Sequence, residues 1–171
     1  MIEHRLIERM IGIVQNSLRR VESEQHIDPH FVDAVVDFIR TYADRTHHGK
    51  EEDILFRDLK KKELKSEDAA AMEELIQEHV LGRRITRELV EANEAYKNGD
   101  LDSLQTVLEK LRFLTEFYPK HIDKEDREFF PAVLAYLTDE EQQAMLREFE
   151  EVDRRMIHEK YTALVDSFET G

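Results

Sequence analysis

The chain has no cysteine, and of its 171 residues only five are glycine and three proline. Without cysteine there are no disulfides, no thiolate metal sites and no sulfur nucleophile, so any bound metal must rest on imidazole and carboxylate. The scarcity of glycine and proline removes the punctuation of a turn-rich sheet protein. With 37% charged residues, long helices with solvated faces are favoured instead. No apolar run approaches the length that spans a bilayer, and the opening MIEHRLIERM carries no signal-peptide pattern. A soluble, cytoplasmic protein that meets no membrane is expected. Positive charge is also in deficit: at −14, the chain repels phosphate, which argues against nucleic acid and anionic lipid as partners. No linker long enough to separate domains interrupts the sequence, so 1–171 reads as one domain.

One stretch occurs twice. Residues 47–56 read HHGKEEDILF and residues 121–130 read HIDKEDREFF. The copies share a His, a Lys three residues on, a Glu at four, an acid at five and a closing apolar pair. On a helix, positions i and i+4 lie one turn apart on the same face, so each copy sets an imidazole beside a carboxylate. Two such pairs facing each other form a nitrogen-and-oxygen cage suited to two divalent metal ions.

Apolar periodicity places these copies on helices. His4, Ile7, Ile11, Val14, Leu18 and Val21 form one seam, ending near Glu24. Asp28-Pro29 opens a second helix whose stripe runs Val32, Val35, Ile39, Ala43, His47, Glu51, Ile54. His47 continues that stripe, whereas α-helical geometry turns His48 about 100° away. A basic turn over 60–65 leads to Ser66 as an N-cap and a third helix, with Met72, Leu75, His79, Gly82 or Arg83, Thr86, and Leu89 or Val90 inward. Asn98-Gly99 stops it and Asp100 caps a fourth, whose seam is Leu104, Val107 or Leu108, Leu111, Leu114, Tyr118, His121, Glu125, Phe129. Pro119 lies inside that helix and should kink it, and Pro131 marks its end. Thr138-Asp139-Glu140-Glu141 is a capping box for a fifth helix, about 138–169, which carries no ligand-like pair.

Four helices thus bring His4, His47, His79 and His121 to their apolar faces, and two add Glu51 and Glu125. A lone histidine on such a face is usually a satisfied core residue. A buried, unpaired carboxylate is harder to accommodate, because it costs several kcal/mol or stays protonated. Two of them among four imidazoles point to metal, which neutralises the carboxylates and takes neutral imidazoles as donors. His26 and His30 at a helix start, and His158 on the last helix, read as surface or packing residues.

These residues together resemble the hemerythrin-like, HHE cation-binding family over about residues 1–135. The matching residues are His4, the His47/Glu51 pair, the Glu78-His79 step and the His121/Glu125 pair. The resemblance implies an all-α, up-down-up-down four-helix bundle, here with an additional C-terminal helix. It implies two non-haem iron ions, held by His4, His47, Glu51, His79, His121 and Glu125, with the two glutamates bridging. Zinc and manganese accept the same donors. Oxygen-carrying members have a second His four residues after the third-helix His; here Arg83 stands there. They also place an Asp five residues after the fourth-helix His, a spacing Asp126 matches, although the repeat and the stripe favour Glu125. The loss of one His implies a more symmetric centre with open positions, and a ligand such as oxygen, nitric oxide or peroxide bound for sensing or detoxification rather than carriage. Arg83 then either pairs with a nearby carboxylate or faces the metals and stabilises a bound anion. The alternative is an iron-buffering or iron-sensing module without turnover.

Overall fold

A computed structural model describes the backbone of residues 2–169, and their side chains except at 2, 22–24, 157–159 and 161–169. Every element is helical, and no strand occurs among the described residues. The first helix, α1, is Ile2–Glu24. Asp28 then accepts the His30 amide at 2.9 Å with Pro29 in the first turn, as the sequence signals. The helix it opens, α2, runs unbroken over 29–59 but changes its winding. Pro29–Phe38 is α-helical, Ile39–His48 and Glu51–Phe56 are π-helical, and Arg57–Leu59 is α-helical again.

The third helix, α3, is Ser66–Lys97. Ser66 is its first helical residue and not the expected cap; Lys65 holds that position, and its amide donates to the Tyr136 hydroxyl at 3.1 Å. Tyr136 thus anchors the residue at the cap position, and no side chain of that residue caps the first turn. Gly99, at φ 95°, ends the helix in a backbone region that suits glycine. Asp100 accepts from the Asp102 amide and the Ser103 hydroxyl, one step before the helix that Asp102 caps. That helix, α4, covers 103–136: Ser103–Lys124 is α-helical through Pro119, Glu125–Phe129 is π-helical, and Phe130–Val133 and Leu134–Tyr136 finish it. The capping box is formed reciprocally, with the Thr138 amide on Glu141 at 2.9 Å and the Glu141 amide on the Thr138 hydroxyl at 3.2 Å. It opens α5, Asp139–Glu169.

Two apolar cores result. One gathers Ile7, Ile11 and Val14 of α1, Val32 and Val35 of α2, Leu89 of α3 and Leu111 and Leu114 of α4. The other joins Phe56 and Leu59 of α2, Leu75 of α3, Phe129 and Val133 of α4 and Met145 of α5. His47, His79 and His121 fall in sequence between residues of these cores, His4 precedes Ile7 on α1, and all four are buried. Helix α5 is tied to α2 by Arg57 on Glu148, at 2.9 and 3.0 Å, and by Lys50 on Asp153 at 2.7 Å. His26 and His30 are exposed, as expected, while His158 lies outside the described side chains. No helix is long and apolar enough to cross a membrane among the described residues.

Because Thr138 satisfies an otherwise unpaired amide at the start of α5, Thr138→Ala should cost about 1 kcal/mol. That corresponds to a fall of roughly 2–4 °C in Tm. Thermal unfolding followed by circular dichroism measures it, and an unchanged Tm would mean the box does not hold the helix start.

Candidate metal centre

The π-helical segments decide which side chains reach the interior. A π turn closes over i to i+5, so each residue advances around the axis by less than in an α-helix. Along α2 this broadens the inward face until Thr46, His47 and His48 are all buried. His48, expected to turn away, is 2% exposed and stacks on His79 with ring centroids 3.9 Å apart. Both copies of the repeat become π-helical at their glutamate, Glu51 and Glu125.

The six residues singled out from the sequence converge. The Nε2 atoms of His4 and His47 are 2.9 Å apart. Glu51 turns Oε1 toward His47 at 3.6 Å and Oε2 toward His79 at 3.4 Å. Glu125 turns Oε2 toward His4 at 3.2 Å and Oε1 toward His121 at 3.2 Å. Each carboxylate therefore offers one oxygen to either side. Ligand atoms of His4, His47, Glu51 and Glu125 all lie within 4.8 Å of one another, as do those of His48, His79 and His121. Asp126 is not in this cluster: it accepts from His4 Nδ1 at 2.9 Å and from Arg5 at 2.8 Å, so Glu125 alone of that pair faces inward.

Around the cluster lies a ring of acids, each on the outward nitrogen of one imidazole. His47 Nδ1 donates to Glu3 at 3.2 Å, His79 Nδ1 to Glu52 at 2.7 Å, and His121 Nδ1 to Glu78 at 2.7 Å, with Asp126 on His4 completing the set. Ionised carboxylates only accept, so these bonds put a proton on Nδ1 and turn Nε2 inward as the nitrogen that a metal would take. A cation backs each acid: Lys50 on Glu3, Lys124 on Glu78, Arg5 on Asp126 and Arg83 on Glu52. The repeat now has a physical meaning. Its Lys neutralises the acid that holds its own His, and its acid at position five, Glu52 or Asp126, holds a His of another helix. The Glu3-His4 and Glu78-His79 steps are the matching half of the pattern. Arg83 belongs to this outermost layer, donating to Asp44 and Glu52 at 2.7 Å each, so the carboxylate-pairing alternative describes its contacts.

His48 breaks the symmetry, since Ile122 occupies its place in the second copy. Neither of its nitrogens has a hydrogen-bond partner. Asp44 is near, but at 3.6 Å from Nδ1 it is too far to pin the ring. A cavity of about 250 Å³ reaches His48 between α2 and α3, past Arg40, Arg83, Arg87 and the buried Tyr118. Among the described residues there are thus five inward imidazoles, not the four expected, and they divide two and three.

The electrostatics of the cluster are those of a site built for cations. Burial, together with the charge of Glu125, pushes the Glu51 carboxyl well above its usual range. Burial works the same way on Glu125, but the imidazoles of His121, His4 and His79 that face its oxygens outweigh it and hold that carboxyl well below. Burial opposes the charge of His121 too, yet Glu125 and Glu78 raise it to about 9. Burial and the neighbouring imidazoles keep His48 neutral, and burial lowers His47. Burial would raise Glu3, but His47 and Lys50 bring it down to about 2, so the outer acid stays ionised.

Without a cation this arrangement is unfavourable. Both oxygens of Glu51 and of Glu125, and Nε2 of His79 and His121, lack a hydrogen-bond partner, although Glu125 lies within ion-pair distance of His121. His4 and His47, each donating outward through Nδ1, point lone pairs at one another over 2.9 Å. Unsatisfied buried polar groups cost about 1–3 kcal/mol each, and more when charged. Metal ions remove the whole set at once, because these atoms are the donors that a divalent cation takes. The residues fit a metal centre.

The sequence analysis missed His48, Glu3 and Glu52. Two signals for the acids were present: the Glu-His dipeptide repeated in α1 and α3, and the second acid of each repeat. For His48 the α-helical period itself misled. Comparison with curated proteins and with solved structures gives no match. The family model of the hemerythrin HHE cation binding domain matches residues 1–133.

An outer carboxylate that orients a ligating imidazole is typically worth about 10- to 100-fold in metal affinity. Glu78→Gln is therefore expected to weaken metal binding by that factor, while His26→Ala leaves it unchanged. Competition against a chromogenic chelator reads both, and wild-type affinity in Glu78→Gln would deny that carboxylate its orienting role.

Proposed function

The chain belongs to the hemerythrin HHE cation-binding domain family, and from that premise we propose that its cluster holds two iron ions and binds a small ligand for sensing or detoxification. The ligand class is oxygen, nitric oxide or peroxide. One observation carries the reading: both oxygens of two buried glutamates and the inward nitrogens of His48, His79 and His121 lack partners, His4 and His47 face each other through Nε2, and four of these five imidazoles are pinned from outside by acids. Two ions are favoured over one because Glu51 and Glu125 each direct separate oxygens to separate imidazole groups. His4 and His47 would hold one ion, His79, His121 and His48 the other, and the glutamates both.

Iron bound there supplies electrons and Lewis acidity to a small ligand. The protein's own residues do the rest. The outer acids hold the Nδ1 protons of their imidazoles and aim Nε2 inward, and the two apolar cores exclude bulk water from either end. Arg83 acts at a distance, fixing Glu52 and through it His79. Four helices in an up-down-up-down bundle within a single cytoplasmic domain suit this arrangement. The group of two imidazoles leaves its ion more open than the group of three, so a ligand would bind on the His4 and His47 side.

The fifth imidazole also bears on carriage. The absence of a histidine at position 83 argued against reversible oxygen binding, yet His48 supplies a third imidazole from α2. Optical titration of the anaerobic ferrous protein with oxygen, then its removal, separates the readings. Two irons per chain, with bands that fade only on adding reductant, are expected for scavenging or redox sensing. Bands that vanish on removing oxygen would mean reversible binding. Two irons with no response to oxygen, nitric oxide or peroxide would leave a buffering module, and fewer than two would overturn the di-iron reading.

A further inference from the structure

A second cavity, of about 240 Å³, abuts the cluster on the side of His47 and Glu51. Its wall is overwhelmingly apolar and comes from three helices: Leu55 of α2, Phe130, Val133 and Leu134 of α4, and Met145, Leu146 and Phe149 of α5. Leu55, Val133 and Met145 are buried, while Leu134 and Leu146 are 45% and 52% exposed and so form a leucine-rimmed mouth. The family match ends at residue 133, and Leu134, Met145, Leu146 and Phe149 of this wall lie beyond it.

Its size and charge define what it takes. An apolar cavity of about 150 Å³ stays dry and accommodates benzene, so this one has room for a ring with a short branched substituent. A diatomic molecule would leave most of it empty. The only cation in its wall is Lys50, whose ammonium is already bonded to Glu3 and Asp153, so no charge is free for an anionic headgroup. Glu3 is likewise taken by Lys50 and His47, which leaves no partner for a cationic one. The remaining polar groups are Gln142, whose side-chain amide donates to the Leu137 carbonyl, and the inner end at His47 and Glu51.

We propose that this cavity binds an uncharged organic molecule with one polar end, its alkyl or aryl body against α5 and its hydroxyl or hydroperoxide toward His47 and Glu51. The proposal rests on the reading of the cluster as a metal centre and narrows its ligand from a diatomic to an organic one. Cumyl alcohol, which is inert to redox chemistry, is a suitable probe. It is titrated into the full-length, methyl-labelled protein, both metal-free and zinc-loaded.

Saturable shifts confined to Leu55, Val133, Leu134, Met145 and Leu146 are expected. The Leu134→Glu/Leu146→Glu variant, altered only at exposed positions, should weaken binding at least tenfold with metal content and Tm unchanged. Absence of saturable shifts, or wild-type affinity in that variant, would overturn the proposal even if two irons bind. The converse result, cumyl alcohol at these methyls in a chain that fails to hold iron, would support the cavity and count against the redox reading alone.

Discussion

Everything in this molecule is arranged around the cost of burying two carboxylates. Glu51 and Glu125 are each at most 1% exposed and face one another's field, and four of their oxygens find no donor. A hydrophobic interior tolerates such groups only when charge is balanced close by. The balance is built in shells. Imidazole lone pairs share the interior with the carboxylates, acids hold those imidazoles from outside, and Lys50, Lys124, Arg5 and Arg83 neutralise the acids at the periphery. Each shell makes sense of the next, and the innermost is completed only by cations.

The shells also explain why so acidic a chain can pack around an acidic centre. Acids on the helix faces are not merely solvated charge: Glu3, Glu52, Glu78 and Asp126 are the half-buried outer partners of ligating rings. The second apolar core then closes one end of the polar layer, and α5 contributes to it through Met145. By covering the His47 side, that last helix adds to the metal centre a wall that the first four helices do not provide. The walls around the cluster are therefore shared between the family domain and the helix that follows it.

Much of this was legible beforehand, for physical reasons. The 3.6-residue period placed His4, His47, His79 and His121 on apolar stripes, and the same period put Glu51 and Glu125 one turn on. Local caps at Asp28, Thr138 and Gly99 were readable because their partners lie within a few residues. Ser66 is not the cap, because Lys65 takes that position, anchored by Tyr136 from another helix. Among the paired readings on α3, Gly82 and Leu89 are buried while Arg83 and Val90 are not fully so.

The repeat, the absence of cysteine and the stripe spacing by themselves determined that this is a helical protein with a buried nitrogen-and-oxygen cluster. Those are properties of local geometry and composition, and neither needs a neighbour. Which second acid serves which ring, the turn of Arg83 toward Glu52, and the inclusion of His48 were decided only by tertiary structure. Partners far apart in sequence meet only when helices pack. The π-helical widening of α2 is likewise invisible to an α-helical period, and it is what turns a second histidine inward.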